Sequence, residues 1–227
     1  MPRARIAIRK IGEDWLTKEN VELRARHESG TIIRMTRIEG DARVNPVMRL
    51  RMLAATARAV ATGIANLALG RVEPTHVDLK PGDVAPAFTL PASDGRTYQL
   101  IDFRERQPVV IAWFPKAFTG GCTAECRSLG TSDRALRAFN VQYFAASLDS
   151  PATNAEFAES VGMTHPILCD ETKATARAYG VLHASGFPSR WTFYIGRDGR
   201  ILDIDKQVHA ATHGHDVAAR LTGLGIS

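Results

Sequence analysis

Cysteine is scarce in this chain, with Cys122, Cys126 and Cys169 the only three among 227 residues. Three thiols at these intervals are too few for the disulfide framework of a secreted scaffold, and without a C-x-x-C pair they do not read as a structural zinc site. Thiol chemistry in a reducing compartment fits better, and a cytoplasmic location is expected. Long apolar runs are also missing: no uninterrupted stretch reaches the about 18 residues that a spanning helix needs. Excess charge of one sign is confined to the first third, where residues 1–73 carry 14 Lys and Arg against 8 Asp and Glu, while residues 74–227 carry 15 against 16. That near-neutral remainder has no electrostatic footprint for nucleic acid, and the interleaving of aromatic with basic residues used by single-strand binders is absent. Nucleic-acid partners are therefore not expected.

What is present suffices for one domain of ordinary size plus an appendage, since 44% of the residues are hydrophobic. Residues 1–45 are Arg-rich and mixed. Only residues 31–38 (TIIRMTRI) hint at a strand, and the segment is expected to be poorly ordered or to precede a true start at Met48 or Met52. Residues 46–70 are rich in Ala and Leu, with Pro at the head and Gly at the tail, which is helix punctuation. The main reading is an amphipathic helix docked on the domain or on a second subunit. A signal-like segment from Met48, interrupted by Arg58, and peripheral membrane attachment remain open. Residues 70–80 read as a linker, and the compact domain begins near Val77.

From there strands and helices alternate. Two extended runs flank Asp94-Gly95, a hairpin dipeptide. Residues 109–113 (VVIAW) are a β-branched core strand, followed by a helix reaching about Phe139. Residues 141–148 have the apolar density of a second central strand, and Ser150-Pro151 opens another helix. PILCD (166–170) is a brief strand leading into a helix over ETKATARAYGV. WTFYIGRDGRILDI is a hairpin turning at Asp198-Gly199, and a last helix lies near residues 216–221. An early βαβ unit with a late antiparallel hairpin is the order of a thioredoxin-like, layered α/β/α domain with an N-terminal helical extension.

The chemistry concentrates in residues 114–126, FPKAFTGGCTAEC, where the core strand hands over to a helix. Unpaired N–H groups and the positive end of the helix dipole stabilise an anion in the first turn, and Cys122 as thiolate would be that anion. Taken singly, a cysteine near a helix start is more often buried and inert, Thr119 reads equally as an N-cap, and Arg190 as a strand-end surface charge.

Together these residues resemble a family signature. Pro115-x-x-x-Thr119-x-x-Cys122 matches the P-x-x-x-T-x-x-C pattern of peroxiredoxins, and the surrounding stretch is similar to their bacterioferritin-comigratory-protein branch. The likeness spans about residues 78–208, including DVAPAFTLPASDG, LDSPATNAEFA, ILCDETKATARAYGV and RWTFYIGRDGRI. It implies a thiol peroxidase that needs no metal, haem or flavin, because sulfur is both nucleophile and redox carrier. It also implies a peroxide substrate and recycling by thioredoxin or a similar dithiol, in a monomer or homodimer. By the same resemblance Cys122 attacks the peroxide, Thr119 places its hydroxyl within reach of sulfur and peroxide, Arg190 favours the thiolate and polarises the peroxide, and Pro115 walls the pocket without a competing N–H.

The branch often places a resolving cysteine five residues after the reactive one, whereas Cys126 follows Cys122 by four. In an intact helix positions i and i+4 have Cβ atoms about 5–6 Å apart, while a disulfide needs about 3.5–4.5 Å. A Cys122–Cys126 disulfide therefore requires local unwinding, and a one-cysteine mechanism stays open. Cys169 reads as core. Glu125 and Lys116 either tune the charge at the site or lie on a solvated face. His209, His213 and His215 read as surface histidines before metal ligands. Two other function classes remain: a thioredoxin-type protein thiol–disulfide oxidoreductase, favoured by Gly186-Phe187-Pro188 but not by the C-x-x-x-C spacing, and a peroxide-responsive redox sensor using the basic N-terminal third.

Overall fold

The computed structural model describes residues 24–26, 32–34, 46–70 and 77–226. The chain divides into two compact units, residues 1–44 and 45–227. In the first, β1 (Arg24–Arg26) pairs antiparallel with β2 (Ile32–Arg34), and the latter falls inside the strand expected at residues 31–38. The expectation of poor order elsewhere in residues 1–45, and the middle of the linker at 71–76, lie outside the described residues.

The second unit is organised by β5 (Val109–Trp113), all five residues of which are buried. A strand buried on both faces must be apolar throughout. Its residues divide by parity, with Val109, Ile111 and Trp113 entering one core and Val110, Ala112 and the following Phe114 entering the other. On one side β5 pairs in parallel with β6 (Gln142–Ser147), which pairs in parallel with β7 (Ile167–Cys169). On the other it pairs antiparallel with β8 (Thr192–Ile195), which turns through Asp198-Gly199 into β9 (Ile201–Asp205). The sheet order is β7-β6-β5-β8-β9, and a separate hairpin of β3 (Thr89–Pro91) and β4 (Thr97–Gln99) precedes it. The thioredoxin-like α/β expectation is borne out.

Three helices enclose the second core: α2 (Gly120–Thr131), α4 (Pro151–Val161) and α6 (His213–Gly223). α4 starts and stops on local signals. Ser150 accepts from Thr153 N at 3.3 Å, Pro151 takes the first helical position, and Gly162 closes the helix with φ 66°. The helix expected to reach Phe139 instead ends at Thr131, and a separate short α3 covers Asp133–Leu136. The reason is local: the Ser132 N–H is shared among the carbonyls of Ser128, Leu129 and Gly130, and Ser132 leaves the helical region with ψ 1°. The helix expected over residues 171–181 is only α5 (Ala174–Ala178), begun by Lys173 in the left-handed region and held by Asp170 Oδ2, which accepts from Ala176 N at 2.7 Å.

A helix, α1 (Pro46–Ala68), runs ahead of the domain. Its docked side consists of half-buried Met48, Met52, Ala55, Ala59, Ala65 and Asn66 around buried Gly63. Asn66 Nδ2 donates to Ser185 O at 2.8 Å, and Arg51 pairs with Glu156 of α4 and sits 4.5 Å above the Phe118 ring. Leu50, Leu53, Val60, Ile64 and Leu67 are exposed. Among the described residues no helix is long and apolar enough to cross a membrane.

Candidate active site

The loop between β5 and α2 is built on a buried carboxylate. Asp149 accepts from Ala117 N at 2.9 Å and from Ser147 Oγ at 3.3 Å, and it pairs with Lys116. These contacts hold residues 116–117 against the end of β6, so that the chain arrives at α2 in one conformation. Phe118 has φ 62°, an unfavourable value for a residue with a bulky side chain. Its ring, 5.2 Å from Phe157 and under Arg51, compensates by burial.

Thr119 is the N-cap of α2, extended at φ −89° and ψ 153°, but its side chain does not cap the helix. Its hydroxyl donates to Lys116 O at 2.9 Å. Cys122 follows as the third residue of α2, in the turn where the helix dipole favours an anion. Its thiol is buried, and Arg190 Nη2 donates to Cys122 Sγ at 3.3 Å. Gly121 makes room for that approach, since a Cβ there would stand 3.2 Å from Arg190 Nη2.

Behind the guanidinium lies a buried charge network. Arg190 Nη1 contacts Glu125 Oε2, and Glu125 Oε1 lies 2.9 Å from His213 Nδ1. Glu125 and His213 are each 1% exposed. The contacts are close but off-axis: both Glu125 oxygens, Arg190 Nη1 and His213 Nδ1 lack an aligned hydrogen-bond partner, so charge proximity joins Arg190 to Glu125 and packing holds His213 against it. His213 Nε2 lies 2.8 Å from Thr192 Oγ1 in a hydrogen bond. Burial pushes the His213 imidazole down to about 4, with Arg190 acting in the same direction and Asp205 and Asp216 against it.

The structure thus brings Cys122 and Arg190 together, with Thr119 at the start of the same helix and Pro115 in the loop ahead of it. Cys126 lies one turn further along an unbroken helix, fully buried, and its thiol is pushed well up by burial and by Cys122. All three cysteines are free. Cys169 is core as expected, taking a 3.2 Å contact from Asn154 Nδ2.

One sequence reading is overturned and, for Glu125, one of two open alternatives falls. His213 is not a surface histidine, because the first turn of α6 packs against α2 and encloses it, whereas His209 and His215 are exposed. Glu125 is not on a solvated face, because it stands three residues after Cys122 and turns with it toward Arg190. Among the described residues no cluster of three His, Cys, Asp or Glu could hold a metal. Asp149 and Thr192 were not singled out from sequence. Asp149 follows the second core strand, and that placement was the available signal.

Known proteins resemble this domain in sequence and in fold. The model of the family described as AhpC/TSA matches residues 81–204. The peroxiredoxin Bcp of Escherichia coli K12 is 33% identical over 146 residues, covering 61% of this chain and 92% of that protein. A putative peroxiredoxin of Mycobacterium tuberculosis is 32% identical over 142 residues, covering 60% and 90%. Among solved structures, the peroxidoxin BcpB of Mycobacterium tuberculosis superposes with a TM-score of 0.58 at 28% identity, covering 64% of this chain and 98% of that one. A PrxQ mutant of Xylella fastidiosa shares the fold, with a TM-score of 0.61 at 23% identity over 66% and 99% of the two chains.

Proposed function

Since the chain belongs to the AhpC/TSA family, in the Bcp/PrxQ branch of the peroxiredoxins, we propose that it is a thiol peroxidase whose reacting atom is Cys122 Sγ. The observation that carries this reading is the 3.3 Å contact from Arg190 Nη2 to Cys122 Sγ at the first turn of α2. A guanidinium and a helix N-terminus both favour sulfur as an anion, and the thiolate is the nucleophile.

The thiolate attacks one oxygen of a hydroperoxide ROOH. An S–O bond forms, the O–O bond breaks, and the leaving oxygen takes a proton to become ROH, or water from hydrogen peroxide. Cys122 is left as a sulfenic acid, two electrons more oxidised. Arg190 is placed to stabilise charge on the leaving oxygen. The Thr119 hydroxyl proton is committed to Lys116 O, so its oxygen lone pairs are available to accept from the O–H of the incoming peroxide. Pro115 contributes wall without a donor.

In the second step the Cys126 thiol attacks the sulfenic sulfur. The S–S bond forms, and the hydroxyl leaves with the thiol proton as water. With Cys126 fully buried on an intact helix, this step needs α2 to open. An external dithiol, thioredoxin or a similar reductant, then returns both thiols by exchange. A coupled assay of hydrogen peroxide turnover with a dithiol reductant tests the reading, run beside reduction of insulin disulfides. Peroxide turnover that disappears in Cys122→Ser supports it. Insulin reduction without peroxide turnover refutes it in favour of a thioredoxin-type oxidoreductase.

A further inference from the structure

His213 has no part in that chemistry, yet it is among the most enclosed polar groups of the domain. α6 begins with His213-Gly214 pressed onto α2: Gly214 N donates to Ser128 Oγ at 3.0 Å, and a Cβ on Gly214 would stand 2.4 Å from Ser128 O. This close approach carries the imidazole between two elements that serve Cys122. From α2 it meets Glu125, and from β8 it meets Thr192, two residues after Arg190. The charged groups that act on it are Glu125 of α2, Arg190 ahead of β8, Asp205 at the end of β9 and Asp216 of α6.

A buried carboxylate is costly unless both oxygens are compensated. One oxygen of Glu125 faces Arg190, and the other faces only His213. An imidazole kept neutral by burial has a single ring proton. The Thr192 hydroxyl can donate to Nε2, which leaves that proton on Nδ1, the nitrogen 2.9 Å from Glu125 Oε1 though not aligned with it. The chain of contacts then runs Thr192, His213, Glu125, Arg190, Cys122.

We propose that His213 is a positioning residue for the peroxide reaction: by holding the second oxygen of Glu125 it fixes the carboxylate that aims Arg190 at Cys122 Sγ. The proposal rests on the peroxidase reading for its rate consequence, but the aiming of Arg190 at the sulfur is measurable without peroxide. Asn keeps a nitrogen near the place of Nδ1, whereas Gln reaches the place of Nε2 and leaves Glu125 without its contact. A purely structural role for His213 does not distinguish the two.

The test compares wild type, His213→Asn, His213→Gln and Thr192→Val. Two readouts are taken at pH 7: the rate of Cys122 alkylation by iodoacetamide in a Cys126→Ser, Cys169→Ser background, and the stopped-flow rate with hydrogen peroxide. Thermal midpoints are recorded in parallel. His213→Gln is expected to lose about tenfold in both rates, His213→Asn to recover most of that loss, and Thr192→Val, which frees Nε2, to lose about threefold. Should His213→Gln fail to fold, the Asn and Val variants still decide the matter. Rates within twofold of wild type in Thr192→Val and every folded His213 variant overturn the proposal, as do losses that follow the thermal midpoints instead of the Asn–Gln distinction. Alkylation rates in the expected order in a protein that consumes no peroxide sustain the positioning role and refute the peroxidase reading.

Discussion

Arg190 reaches Cys122 from 68 positions further along the chain, and its two terminal nitrogens divide the work, Nη2 on the sulfur and Nη1 on Glu125. A single planar group therefore couples the Cys122 sulfur to a buried carboxylate. Lysine offers one point charge on a flexible stem and lacks the rigid two-nitrogen fork. Arg190→Lys is expected to slow peroxide reduction by about 10²-fold, comparable to losing one preorganised donor at a reacting centre. Arg190→Met, which leaves Glu125 without its cation, is expected to cost about 3–5 kcal/mol of stability as well. Stopped-flow rates and urea unfolding check the two expectations separately.

The proposed use of Cys122 and Cys126 in successive steps has its own expected outcome. Cys126 is enclosed by the core that holds Leu129, Tyr143 and Phe157, so closing a disulfide has to expose part of α2. Cys126→Ser is expected to react once with peroxide at the wild-type rate and then to accumulate sulfenic acid on Cys122, with turnover by a dithiol falling at least tenfold. Amide exchange in α2 is expected to rise on oxidation of wild type and not of Cys126→Ser. Peptide mapping and hydrogen exchange read these outcomes directly.

Two helical glycines should respond to alanine with opposite signs. At Gly63 of α1 a Cβ would meet Ser185 Cβ at 3.6 Å and Phe187 at 3.8 Å, ordinary contact distances, so the helix-propensity gain of about 1 kcal/mol is expected to appear as added stability. At Gly214 of α6 the same Cβ would stand 2.4 Å from Ser128 O, a backbone atom, and 2.5 Å from Ser132 Oγ. Overpacking of about 1–3 kcal/mol exceeds the propensity gain there, and Gly214→Ala is expected to destabilise. Thermal unfolding midpoints of the two variants measure the contrast.

Acid should weaken the fold through His213. An imidazole whose folded pKa is about 4, below its ordinary 6.5, takes its proton more readily in the unfolded chain. Its neutral form supports full stability above about pH 6.5, and stability is lost as pH falls toward 4. Between pH 7.5 and 4.5 the loss from this group is about 2–3 kcal/mol, at about 1.4 kcal/mol per unit. His165, also pushed down by burial, adds to the loss in the same direction. His213→Asn is expected to show a shallower decline across this window when urea unfolding is measured at each pH.

The sequence carried most of the scaffold because the central strands are buried on both faces: VVIAW in β5 has no polar residue to confuse with another element. The position of Cys122 was legible for the same reason, as the residue where that run gives way to a helix. The end of α2 was not. Leu136 and Phe139 continue an apolar pattern across the break, and only the sharing of the Ser132 N–H among three carbonyls ends the helix at Thr131. His213 was illegible for a different reason. Its burial depends on α6 touching α2 at Gly214, a contact across 86 residues that leaves no local trace. Glu125 lay between these cases, since its three-residue offset from Cys122 put it on the right face but did not supply its partners.

The role of Cys122 is decided by adding one equivalent of hydrogen peroxide to fully reduced protein and measuring peroxide remaining together with the mass of the Cys122 peptide. Wild type and Cys126→Ser are expected to consume one peroxide per chain, the first ending as a Cys122–Cys126 disulfide and the second as a Cys122 sulfenic acid, while Cys122→Ser consumes none. Peroxide consumption that persists in Cys122→Ser, or a Cys122 left unmodified in wild type, would contradict it.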